Sequence, residues 1–122
     1  MDIFIIVLKI IIVIGILNVW LLRFNTKTEW RGNGASNMNE EFSNYGLPTW
    51  FVPIIGFLKI GFALLLVISI FKTDANLAFI GAGGMGVLMI GAIGMHVKIK
   101  DTLRRSLPAF LMFVMSAIIV LF

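Results

Sequence analysis

Apolar residues in this chain fall into long unbroken runs. No Asp, Glu, Lys or Arg occurs in residues 75–97 or 106–122, and only Lys9 interrupts Ile3–Leu22 and only Lys59 interrupts 47–71. An α-helix rises about 1.5 Å per residue, so about 20 apolar residues cross a hydrocarbon layer of about 30 Å. The pattern predicts four membrane-crossing helices at about 3–23, 49–71, 76–98 and 104–122. The two-residue alternation of a membrane β-barrel is missing from these runs. The first run has no basic stretch ahead of it and no small-residue cleavage site behind it, so it reads as a retained helix, not a secretory signal.

Between the first two runs lies the longest polar segment, 24–47. It reads as a polar loop ending in a short interfacial helix. Asn37 followed by Glu40 has the spacing of a capping box, and Gly46 then Pro48 supply a stop and a restart. Met38, Phe42 and Tyr45 recur at i, i+4 and i+7, one face that suits the membrane surface or the mouth of a bundle. An irregular solvated loop is the competing reading. The other links, 72–75 and 100–102, are short enough to make successive helices antiparallel. The expected fold is all-α: an up-down-up-down four-helix bundle, integral to the membrane. Pro48 and Pro108 sit near helix starts, where a missing N–H costs little, whereas Pro53 lies far enough inside to bend the second span.

Composition agrees with lipid as the main solvent. Of 122 residues, 60% are hydrophobic and 13% charged, against about 45–50% and about 25% in soluble domains. The absence of cysteine excludes disulfides and iron–sulfur ligation by the protein. One histidine and seven methionines spread along the chain make a poor metal or haem set, so neither metal nor haem is expected.

The net charge of +4 is concentrated beside the spans. Arg23, Lys27, Arg31, Lys98, Lys100, Arg104 and Arg105 flank the first and third links, and Lys72 alone marks the other side. By the positive-inside rule the basic end is cytoplasmic and both termini lie outside. Trp20 and Trp50 fall at the same basic interface, at headgroup level. The charge then belongs to the membrane surface, with Arg23, Lys98, Lys100, Arg104 and Arg105 as headgroup contacts and no nucleic-acid partner expected.

One motif invites a different reading. Gly81-Ala-Gly83-Gly-Met-Gly86 is a literal G-x-G-x-x-G, with Asp101 twenty residues after Gly81. A dinucleotide fingerprint needs a strand turning into a helix within a βαβ unit, and this copy lies inside an uncharged run with no strand after it. Small residues in a membrane helix instead let backbones approach closely. Gly81, Gly84, Gly91 and Gly94 are therefore expected to pack the third span against its neighbours.

Polar groups within spans are the candidate chemistry. Lys59 lies ten residues beyond Thr49, about 15 Å along the helix and near the midplane. Asn18 is its nearest partner by depth, while Lys9, nearer its helix end, is expected to snorkel outward. No span holds a carboxylate for Lys59. It is then either neutral, or solvated by water, by a bound polar head, or by Glu40 or Glu41 folding inward. The structural alternative is a lysine that only caps carbonyls and Asn18. His96 ends the third span at the basic interface, where a surface hydrogen bond is the plainer role. A candidate pocket is drawn from Lys59, Asn18, Tyr45 and His96, with Glu40 and Glu41 as loop carboxylates beside it. No catalytic residue is assigned, since no nucleophile–base pair or facing carboxylate pair occurs within a span.

Two stretches, YGLPTWFVPIIGFLKIGFALLLVISIF from Tyr45 and GMHVKIKDTLRRSLPAFLMFVMSAIIV from Gly94, resemble the DoxX-like family of small bacterial four-helix membrane proteins. The similar features are the Gly-Leu-Pro before the second span, Gly56, Leu58 and Lys59 in its middle, and His96 ahead of a basic turn with Asp101 and Arg104. Other branches carry an acidic residue where this chain has Lys59. The resemblance implies a multi-pass protein of the bacterial inner membrane, a non-catalytic subunit or assembly factor of a membrane complex, in some relatives a quinone-linked redox complex. It implies protein partners in the membrane or self-association. Alternatively, the bundle binds a quinone or lipid in a polar pocket around Lys59. A small transporter is the least supported, since no inverted repeat with broken helices is visible.

Overall fold

The computed structural model describes residues 3–22, 24–25, 34–72, 74–100 and 103–122. Arg23, Lys27, Arg31 and Asp101, weighed above, lie outside the described residues. Helix α1 (Ile3–Leu17) continues into a π-helical turn, Asn18–Leu22. The short helix α2 (Met38–Asn44) precedes α3 (Phe51–Lys72) and α4 (Ala75–Lys98). A 3₁₀ turn, Leu103–Ser106, leads into α5 (Leu107–Leu121). Among the described residues four segments are long and apolar enough to cross a membrane: Ile3–Leu22, Phe51–Lys72, Ala75–Lys98 and Arg104–Leu121.

Around the bundle α1 packs on α3, α3 on α4, α4 on α5, and α5 back on α1. Contacts near the basic end join the late part of α1 to the early parts of α3 and α5, through Trp20 on Gly56 and Gly15 on Met112. Each neighbouring pair is thus antiparallel, the up-down-up-down arrangement. The outer surface is apolar, as lipid requires, with Phe57, Phe71 and Phe79 exposed. Ile12, Ile16, Leu66, Met85 and Met89 fill the centre.

Local sequence explains where the helices begin and end. Asp74 caps α4, its carboxylate accepting from the amides of Asn76 (2.9 Å) and Leu77 (3.3 Å), which also places negative charge on the positive end of the helix dipole. Pro108 occupies the first turn of α5. Pro53 does as well in α3, because that helix starts at Phe51. The expected bend is unnecessary, since the first four amides of a helix have no intrahelical acceptor to lose.

Two further expectations are corrected by the packing. Lys9 does not snorkel: its side chain is completely covered by protein, the aliphatic stem being long enough to lie within the bundle. The four glycines of α4 expected to pack on neighbours also divide into two kinds. A Cβ on Gly81 would lie 3.0 Å from the Phe62 carbonyl oxygen and 3.1 Å from Leu66, and one on Gly84 would run into the Phe62 ring. Gly91 and Gly94 have no neighbour within 4 Å of that position. The helix-packing role expected of them has no counterpart: Gly91 borders open space and Gly94 lies on the exposed face of α4.

Candidate functional site

A cavity of about 1030 Å³ lies at the basic end, at the upper end of the size of small-molecule sites. The end of α1 and its π-helical turn form one wall, the start of α3 another, and the second half of α4 with the start of α5 the rest. Helix α2 covers the mouth. That lid is built by local rules: the Asn37 side chain accepts from the Glu40 amide at 2.8 Å, and the chain stops in a Schellman motif. The Gly46 amide reaches the Ser43 carbonyl (2.9 Å) and the Leu47 amide the Phe42 carbonyl (3.1 Å), with Gly46 at φ 78°, a conformation that disfavours any Cβ.

The amphipathic face of α2 points into the bundle. Met38, Phe42 and Tyr45 are all buried, each contributing about 1.5–3 kcal/mol of apolar burial relative to water. Phe42 meets Trp20 edge-on at 6.0 Å and Tyr45 at 5.9 Å. The same turn of α2 delivers Glu41 to the cavity, one position from Phe42, while Glu40 stays exposed and outside it. The two loop carboxylates are thereby separated: Glu41 joins the pocket and Glu40 serves the cap through its amide.

Inside the cavity the polar groups form a connected set. The Tyr45 hydroxyl donates to Glu41 Oε1 at 2.7 Å and lies 3.3 Å from His96 Nε2. A hydroxyl has one proton, and an ionised carboxylate can only accept. With that proton on the Glu41 bond, a hydrogen bond to His96 has an Nε2–H as donor and the tyrosine oxygen as acceptor. His96 is buried and meets the Tyr45 ring edge-on at 5.7 Å, so it is a wall of the cavity and not a surface residue. Lys98, the last residue of α4, donates to the Tyr45 carbonyl at 3.1 Å and ties the lid to α4.

Lys59 reaches the same space from α3. Its ammonium stands 5.2 Å above the Trp20 ring, a cation–π arrangement that stabilises by about 2 kcal/mol when desolvated. Glu41 is the carboxylate whose field reaches it. Asn18 also lines the cavity. The pocket residues Lys59, Asn18, Tyr45 and His96 are therefore brought together, with Glu41 among them.

Two lining residues were missed by sequence reasoning. Trp20 was placed in the headgroup layer, yet it is 6% exposed, its ring pressed on Gly56, whose added Cβ would lie 2.8 Å away. Its indole N–H has no partner among the described residues. The signal was present in the glycine three residues before Lys59, which makes room for an aromatic face. Arg105 was assigned to headgroups along with Arg104; Arg104 is exposed, but Arg105 is half-buried and lines the cavity. Lys100, two residues past the end of α4, is exposed and lies in the left-handed region, at φ 54°. Among the described residues no three His, Asp or Glu side chains gather as a metal site.

A helical membrane bundle with a lidded, mostly apolar cavity that holds a few polar groups at one end is the class of protein that this geometry defines. The chain belongs to the DoxX-like family, whose model matches residues 16–119, from the last turn of α1 almost to the end of α5. It is a multi-pass membrane protein. Comparison with curated proteins and with solved structures gave no match.

Proposed function

We propose that the protein is a non-catalytic binding bundle, holding an amphipathic molecule of the quinone or lipid kind as its contribution to a membrane assembly. The observation that carries this reading is the cavity itself: about 1030 Å³, with Lys59, Glu41, Tyr45, His96 and Arg105 beside aromatic and methionine side chains. Sites of this composition bind by apolar burial and orient by a few polar groups. The hydrogen-bonded Glu41–Tyr45–His96 set supplies donors and an acceptor for a polar head.

Native mass spectrometry of protein extracted in mild detergent tests the reading. One retained small molecule per chain is the expected result. A bare chain that takes up neither a quinone nor a lipid on addition overturns it, and an empty chain bound to an unrelated protein leaves only the subunit role.

We further propose that the basic end, with the cavity, faces the cytoplasm and that both termini lie outside, in the inner membrane of a bacterium. The basic residues beside α1, α4 and α5 support this orientation. Single cysteines at Ser36 and Thr73, tested with an impermeant thiol reagent on whole cells, should label at Thr73 alone. Labelling at Ser36 alone reverses the orientation.

A further inference from the structure

The cavity is closed toward the outer half of the bundle but not toward lipid. Along the face of α4 that meets α3, Gly84 is occupied by the Phe62 ring. Seven residues further, about 10 Å along the helix, Gly91 has no atom within 4 Å of a Cβ position. Gly91 and Val87 are both exposed on the bundle surface and both line the cavity. From α3, Phe51 and Ile55 line the same stretch. The interior is therefore continuous with the lipid-facing surface through a gap between α3 and α4, within the membrane-crossing part of both helices.

Only an apolar chain can lie in such a gap, because no water is available there to solvate a polar one. The walls also carry a sign. Among the described lining residues Lys59 and Arg105 are the basic ones and Glu41 the single carboxylate, and Glu41 already accepts from Tyr45. Counted as formal charges, these three described side chains leave one positive.

We propose that the α3–α4 gap is a lateral portal, through which the cavity takes an amphipath with an anionic head and a long apolar tail. The head, a carboxylate or phosphate, rests near Lys59 and Arg105, and the tail leaves past Gly91 into the leaflet at the basic end. This inference rests on the binding reading above and narrows its ligand class.

The probe is Trp20 fluorescence in a Trp30→Phe, Trp50→Phe background, with the protein in nanodiscs of unlabelled lipid. Three bromine-labelled amphipaths are titrated: a long-chain carboxylate, a lysophosphatidate and a long-chain alcohol. Saturable quenching by either anion, with the alcohol roughly tenfold weaker, is expected; carboxylate or phosphate preference then distinguishes a free fatty acid from a phospholipid source. Gly91→Phe should weaken the response by roughly tenfold, a difference of about 1.4 kcal/mol. Gly94→Phe, equally exposed but not lining the cavity, should leave it unchanged, and equal melting of the two variants establishes that both fold. Equal quenching by the alcohol overturns the anionic head. Normal quenching in Gly91→Phe overturns the portal while the cavity still binds. No saturable quenching by any amphipath, including a brominated quinone, overturns the binding reading itself.

Discussion

Gly81→Leu is expected to destabilise the bundle by about 3 kcal/mol, while Gly91→Leu, ten residues away on the same helix, changes stability by less than about 0.5 kcal/mol. The contrast follows from what each side chain would meet. At Gly81 even a Cβ comes within 3.0 Å of a backbone oxygen on α3, and that oxygen belongs to a helix that cannot move alone. The remaining leucine atoms would have to displace Leu66, which is fully buried. At Gly91 the side chain enters open space. Gly84→Leu should fall between them, because the Phe62 ring can swing aside. Thermal melting of the purified variants in detergent measures the series. Equal losses at Gly81 and Gly91 would show that α3 and α4 stay in contact along their whole length.

The second large effect concerns Lys59. Lys59→Met keeps the length of the side chain and removes its charge. The variant should fold with unchanged or slightly higher stability, since an intramembrane ammonium is costly to hold. Its affinity for an anionic amphipath should fall by roughly 10- to 100-fold, the equivalent of losing one charged hydrogen bond of about 1.5–3 kcal/mol. Melting and ligand retention are read on the same sample. A loss of several kcal/mol of stability with affinity intact would make Lys59 a purely structural partner of Trp20 and Glu41.

The spans were legible because crossing a membrane is a property of one segment at a time. Length and the absence of charge decide it, and the predicted 49–71 and the observed Phe51–Lys72 differ by two residues at the start. The α2 lid was legible for the same reason: the Asn37 cap and the Met38, Phe42, Tyr45 face are set by local spacing. What escaped were properties of pairs. Gly81 and Gly91 look alike in sequence, and only the course of α3 relative to α4 separates them. Trp20 reads as an interfacial indole until Gly56 is found opposite it. Arg104 and Arg105 are adjacent and chemically identical, and a single 3₁₀ turn decides which one looks inward. Lys59, by contrast, could be singled out from depth alone, because a charge at that level demands a partner wherever the other helices run.

The π-helical turn at Asn18–Leu22 bears on how this chain can change length. A π turn closes one residue later than an α turn, so it holds one more residue than the regular helix needs. Deleting a single residue between Ile16 and Trp20 would close the turn at the ordinary period and leave the residues after it pointing nearly as before, because the widened turn absorbs the extra residue. Trp20 would stay on Gly56, with Lys59 above its ring. A deletion in the regular part of α1 would instead turn everything after it by about 100° about the helix axis, so the π turn is where the first span best accommodates the loss of one residue.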